Sequence, residues 1–181
     1  MPAVLRPFTG IVHRRSATQL LGLGRPIEQL RPTVRAHCTG PVQGAAKAAR
    51  ASNDPRAYIQ ALDHYGGELL PDDRYEDWAA RPRELLRATQ VDLLFELAYL
   101  HREQGEYVAA IEALKQLLAQ DPAHEEACVN LMQMHASMGQ RYQALHQYAQ
   151  LRKALLDELD VEPDIATQHL YTEICAGKIA A

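Results

Sequence analysis

Displaced by 34 residues, the chain falls onto itself. Leu97 meets Leu131, His101 meets His135, Gly105 meets Gly139, Ala110 meets Ala144, Ile111 meets Leu145 and Leu117 meets Leu151. A fixed period of this length marks a supersecondary unit that cannot bury its apolar face alone and must stack on a copy of itself. The unit is helical. From about residue 44 onward Ala, Leu, Glu, Gln and Arg dominate, all good helix formers, and alternating β-branched runs with Asn-Gly turns are missing. The punctuation is regular. "SNDP" at 52–55 offers Ser52, Asn53 or Asp54 as an N-cap with Pro55 at the first helical position, and Pro82 opens the next helix in the same way. Gly105 in "QGE" and Gly139 in "MGQ" break helices. In "QDPAHEE" Asp121 is the expected N-cap and Pro122 the first residue of a further helix, and "DVEPD" at 160–164 sets off the last one.

Thirty-four residues is the period of the tetratricopeptide (TPR) repeat, whose pattern can be laid on the chain directly. The first copy fills its slots with Leu94, Leu97, Ala98, His101, Ala110, Leu114 and Pro122. The second uses Cys128, Leu131, Met132, His135, Ala144 and Tyr148 and lacks the closing proline. "QGEYVAAIEALKQLLAQDP" (104–122) resembles the second half of such a unit. Packing explains the residue types. Alanines belong where two helices approach most closely, larger residues fill the gap to the next hairpin, and glycine lets the chain turn. A half-copy precedes, with Tyr58, Ala61, Leu62 and Tyr65 spaced as Tyr107, Ala110, Ile111 and Leu114 are. "PDIATQHLYTEI" puts Ile165, Tyr171 and Ile174 near one face and predicts a short helix closing the stack. The expected fold is all-α and TPR-like: about seven helices, two full hairpins, a preceding half-unit and a closing helix.

Charge divides the chain. Residues 1–40 hold six Arg against Glu28, a net of +5, while residues 41–181 hold thirteen Lys and Arg against twenty-two acids, a net of −9. The Arg-rich start loosely resembles an organelle transit peptide. Pro2, Pro7, Pro26, Pro32 and Pro41, with no amphipathic run, favour instead an irregular basic segment or a misassigned start. The domain layout expected is an irregular segment over 1–43, the helical body over 44–176 and a tail over 177–181. The acidic body argues against nucleic-acid binding through bulk electrostatics. Cys38, Cys128 and Cys175 are an odd number with no metal-ligand spacing, which fits a reduced, cytoplasmic protein. No apolar run approaches the roughly 18–20 residues of a membrane helix.

A more specific signal is "YGGELLPDDRYEDWAARPREL" (65–85), which gathers two Gly, two Pro and six acids around Tyr65, Tyr75 and the single tryptophan, Trp78. Together with "AHEEACVNLMQMHASMGQRYQALHQYAQLRKALLDELDVEPDIATQHLYTEI", it resembles the bacterial transcriptional activator domain, the TPR-like regulatory module of SARP-type activators. The ending "LLDELDVEPD…T…LY" is its most specific part, and the resemblance covers roughly 44–176. It implies a helical module that works beside a winged-helix DNA-binding domain. Forty residues cannot hold a winged helix, so the family's DNA-binding residues have no counterpart here. The expectation is a regulatory module alone: a truncated product, a separately encoded half or a domain with a misassigned start.

Sharper chemistry fares poorly against plain packing. Asp72, Asp73, Glu76 and Asp77 lack the ligand alternation and sharp glycine turn of a hard-metal loop, and suit the first turn of a helix. His101 and His135 could face each other with Cys128 nearby, as a metal-assisted hydrolase would need, but further ligands are wanting. Ser52 and Ser137 are the only serines after residue 44, and "GLGRP" (22–26) lacks the Lys-Ser/Thr of a phosphate loop. No enzyme, cofactor or metal is expected. What remains is a binding groove on the first helix of each unit: Asp92, Phe95, Tyr99 and Arg102, then Glu126, Val129 and Gln133, with Phe95 and Tyr99 forming an aromatic ridge that either faces a ligand or packs against the 55–66 helix. The expected function is a non-enzymatic regulatory module contacting a winged-helix DNA-binding domain, a second copy or the RNA polymerase machinery, without direct nucleic-acid or membrane binding. The alternative is a free-standing TPR adaptor that captures a peptide. Tyr65, Gly66, Gly67, Pro71, Tyr75 and Trp78 are assigned to a structural corner. Trp78→Ala is therefore expected to lower the urea midpoint, by on the order of 2–3 kcal/mol for a buried aromatic, and to leave metal content unchanged; a variant as stable as the parent would remove the corner.

Overall fold

The computed structural model describes residues 40, 42–65 and 77–178, with the side chains of 77–79 left aside. The described residues contain seven α-helices and no strand: α1 (42–52), α2 (Pro55–Asp63), α3 (Asp77–Glu103), α4 (Tyr107–Gln120), α5 (Glu125–Ser137), α6 (Arg141–Leu159) and α7 (Ile165–Cys175). They fall into two compact units that divide between Gln90 and Val91, within α3. Of the corner residues, Gly66, Gly67, Pro71 and Tyr75 and the Trp78 side chain lie outside what is described. So do residues 1–39, with the basic segment and Cys38.

In the first unit, α1 buries Val42, Ala46 and Ala49, the stripe an amphipathic helix turns inward. The chain then turns through Asn53, and Asp54 caps α2: its Oδ1 accepts from the Arg56 amide at 3.0 Å while Pro55 takes the first helical position. Tyr58, Ala61 and Tyr65 are buried. Pro82 does not open α3 as its sequence context suggested. It lies inside a helix that already begins at Asp77, carried upstream by the strong helix formers Ala79 and Ala80.

The second unit holds the repeats. α5 packs most extensively on α6 and also contacts α4, while α7 lies against both α6 and α5. The predicted slots are filled as the packing argument requires: Leu94, Leu97, Ala98, Ala110 and Leu114 are buried in the first copy, and Cys128, Leu131, Met132 and Ala144 in the second. Cys128, Met132 and Ala136 of α5, Ala144, Leu151 and Leu155 of α6, and Leu170 and Ile174 of α7 form one continuous core. Tyr148 stacks on Tyr171 with ring centroids 4.2 Å apart, joining α6 to α7.

Asp121 and Pro122 do not start α5. They form a turn in which the His124 amide donates to the Asp121 carbonyl at 3.2 Å, and His124 is the N-cap, its Nδ1 accepting from the Ala127 amide at 3.2 Å. A side-chain cap placed three residues later satisfies the same orphan donors, so the helix begins at Glu125.

The helix ends at Gly105 and Gly139 are copies of each other. Glu106 N–H donates to the His101 carbonyl at 2.8 Å and Gly105 N–H to the Arg102 carbonyl at 3.0 Å; Gln140 and Gly139 repeat this on His135 and Ala136 at 2.8 and 3.0 Å. This is the Schellman closure, which needs a left-handed residue, and the two glycines have φ of 76° and 72°. The side chains add a second tie. His101 Nδ1 lies 2.6 Å from Glu106 Oε2, and His135 Nδ1 lies 2.6 Å from Gln140 Oε1. α7 ends in the same backbone closure, with Lys178 N–H on the Glu173 carbonyl and Gly177 N–H on that of Ile174. The closing helix thus ends in the same backbone turn as the first helices of the two repeats.

Gly139→Ala is expected to lower stability by about 1–2 kcal/mol, because a Cβ is strained at positive φ even though the space around it is open. Gly44→Ala, in α1 with equally open surroundings, is expected to be neutral or stabilising by up to about 1 kcal/mol. Urea midpoints that shift in the same direction for both would contradict this account of the turn.

Candidate functional site

The seven residues assigned to the first-helix groove all lie in the second unit, on α3 and α5. They do not form a uniform surface. Phe95 is half-buried and stacks on His124, ring centroids 5.5 Å apart, so it closes the α4–α5 turn against α3. Val129 is also half-buried, packed against the core of α5 to α7. One turn beyond Phe95 the ridge changes character. Tyr99 is 53% exposed, and the Arg102 guanidinium carbon sits over its ring, 5.1 Å from the centroid.

Arg102 then reaches across to the neighbouring first helix. Its Nη1 donates to Asn130 Oδ1 at 2.7 Å, and Asn130 Nδ2 donates to the Glu126 carbonyl at 2.9 Å, which fixes the amide's orientation. Glu103 is 3.9 Å from Nη2, a weak exposed pair. The result is a polar and aromatic bridge between α3 and α5: Tyr99 and Arg102 on one side, Glu126 and Asn130 on the other, with Gln133 exposed two turns along from Glu126. Asp92 is exposed at the far end of the α3 face. Asn130 was not among the sequence candidates. Its signal, an Asn four residues after Glu126 on an otherwise helix-forming stretch, is ordinary for a helix surface. His124, too, was missed, because a histidine N-cap is uncommon beside Asp, Ser or Thr.

The arrangement can hold a planar or anionic group, since a guanidinium anchored at one nitrogen keeps donors on the others and the tyrosine offers an exposed ring. It has no nucleophile–base pair. The two histidines of the hydrolase reading each direct Nδ1 to the residue after their own helix-ending glycine. Among the described residues, no group of three or more His, Cys, Asp or Glu could hold a metal ion. Cys128 is buried, its Sγ 3.5 Å from the Gln147 carbonyl, and burial first, then the Glu125 charge, pushes its pKa up to about 12. A thiol so shifted is neutral at pH 7 and is not an activated nucleophile. No helix among the described residues is long and apolar enough to cross a membrane.

Fold and surface together define a TPR-like helical module with a polar bridge across its first helices. The chain belongs to the bacterial transcriptional activator domain family, whose model matches residues 36–175. It is 30% identical over 117 residues to the regulatory protein DnrI of Streptomyces peucetius, covering 65% of this chain and 43% of that protein. It is 36% identical over 98 residues to the transcriptional regulator RedD of Streptomyces coelicolor, covering 54% of this chain and 27% of that protein. The match therefore spans less than half the length of either relative. No solved structure matches the chain significantly. The family and RedD are named for transcription control and DnrI for regulation, and none of the three for catalysis.

Cys128 makes the stability of this unit depend on alkaline pH. The folded thiol keeps its proton up to about 12, whereas the unfolded one releases it near 9.0. Its contribution is fully present below pH 9 and is lost as pH rises towards 12, at about 1.4 kcal/mol per pH unit. In Cys128→Ala this component of the slope is expected to vanish. Parallel stability–pH curves for the two proteins over that window would show that the thiol is not shielded.

Proposed function

We propose that the chain is a non-enzymatic regulatory module of a bacterial transcription regulator, cytoplasmic, which acts by protein contact through the α3–α5 face. The observation that carries the reading is the exposed Tyr99 ring under an Arg102 guanidinium that Asn130 anchors from the next helix. Three ordered side chains on two helices give a partner a rigid, part-aromatic landing point, the kind of residue set that dominates binding energy at interfaces. Family membership supports placing that contact in transcription control. The partner is a winged-helix DNA-binding domain or the transcription machinery. The net charge of −9 over residues 41–181 supports a role without direct phosphate binding. The adaptor reading, capture of a peptide segment on the same face, shares this surface and differs in what is captured.

Tethering the chain to an unrelated DNA-binding domain upstream of a reporter tests the proposal. Transcription is expected to rise, and Tyr99→Ala and Arg102→Ala are each expected to cut the rise by about tenfold, the effect of about 1.4 kcal/mol at an interface, with the helical circular-dichroism signal unchanged. No rise on tethering, or a rise indifferent to both substitutions, would reject this face as the regulatory contact. DNA binding by the chain alone at physiological salt would reject the partition of roles.

A further inference from the structure

A second surface, on α4 and α6 with Cys128 of α5 beneath it, does not depend on the reading above. Between the end of α4 and the C-terminal half of α6 runs an open groove of about 480 Å³. Its floor is apolar, made by buried Cys128 and Leu151 with half-buried Leu118 and Ala154. One wall is a continuous stripe of α6, since Gln147, Leu151, Ala154 and Glu158 recur at helical spacing along the groove. From residue 147 to 158 that stripe is about 16 Å long, three turns of helix.

The charge along this wall is one-sided. Asp157 and Glu158 line the groove and are exposed, Asp160 follows at the helix end, and none of the three has an ion-pair partner among the described residues. Arg152, which could have offset them, is engaged by Glu162 at 2.7 and 2.8 Å, leaving Lys153 as the cation at the rim. The C-terminal end of α6 adds the negative end of its own dipole. The acids also stand outside the repeat. α6 has 19 residues where α4, its counterpart, has 14. In the 34-residue frame Ala154 corresponds to Gln120, the last residue of α4, so 155–159 are an added turn. Leu155 of that turn packs into the core, while its outward face carries the unpaired acids.

We propose that this groove receives a basic amphipathic helix of a partner protein, its apolar face on Leu118, Leu151 and Ala154 and its lysines or arginines against Asp157, Glu158 and the end of α6. Apolar floor, acidic wall and a length of about three turns match that ligand on chemistry, charge and size.

The test uses the whole chain and a fluorescent helical peptide with leucine on one face and lysine on the other, with companions in which glutamine or glutamate replaces lysine. At physiological salt the lysine peptide is expected to bind, the glutamine peptide more weakly and the glutamate peptide not at all. Asp157→Lys/Glu158→Lys is expected to weaken the lysine peptide about tenfold or more, as removal of a complementary charge pair does. Ala154→Arg, which fills the floor from a half-exposed position, is expected to do the same. Glu112→Lys/Glu173→Lys changes net charge equally on exposed positions elsewhere and is expected to bind as the parent does; circular dichroism checks that each variant is folded. Absence of lysine-peptide binding, equal binding of the lysine and glutamate peptides, or equal losses from both double variants would overturn the proposal. So would self-association of the chain that Ala154→Arg abolishes, since a second copy would then be the occupant.

Discussion

Each repeated first helix of the second unit ends in a glycine of positive φ, and the stack depends on that closure. Gly105 and Gly139 let the last carbonyls of α3 and α5 be capped by the very residues that begin the return path. The chain needs only one further residue before the next helix starts. A connection so short brings the following helix back beside the one just ended, as α6 lies on α5. The histidines reinforce it. His101 and His135 are buried at the same repeat position, and each is satisfied by the side chain just past its glycine. A buried imidazole without that partner would carry a desolvation cost, so the polar pair and the backbone turn are selected together. Once the turns are set, the alanine slots Ala98, Ala110 and Ala144 decide how closely helices approach, and Leu94, Leu114, Leu131 and Met132 fill what is left.

Period and packing carried most of the fold into the sequence, because both are repeated and each copy checks the other. The glycines, the alanine slots and the burial of the large residues all stand at positions the 34-residue displacement identifies. What escaped is what occurs once. Pro82 resembled a helix start, but two alanines upstream extend the helix past it. Asp121–Pro122 resembled a cap and first turn, but His124 caps instead. The helix-ending turn that α7 shares with α3 and α5 was hidden because α6 is longer than α4, so Gly177 falls 38 residues after Gly139 instead of 34. The face of the candidate site was legible only as a stripe. Helical spacing placed Phe95 and Tyr99 together, yet it could not say that His124 would occupy the first ring while the second stayed in solvent. That outcome depends on a cap the sequence disguised. Asn130 escaped for a related reason: its role exists only through Arg102, 28 residues away.

α7 lacks a second helix of its own within the described residues, so what holds it matters for everything that leans on α6. Four polar ties surround it. Arg141 Nη2 donates to the Cys175 carbonyl, Arg152 holds Glu162 by two bonds, the Asp164 amide donates to Glu125 Oε1 at 2.7 Å, and Gln168 donates to the Pro163 carbonyl at 2.7 Å. The first three are exposed. The mutual bond holds the Glu162 carboxyl below its usual range, but charges in full contact with water gain little net stability from pairing. Leu170 and Ile174, at 8% and 2% exposure, are worth roughly 1.5–3 kcal/mol each by burial, and the Tyr148–Tyr171 stack adds about 0.5–1.5. Apolar contact therefore binds α7, and the polar ties select its register along α6. That division leaves Asp157, Glu158 and Asp160 exposed at the end of α6 without cost to α7, because Leu170, Ile174 and Tyr171 hold it by contacts that involve no charge.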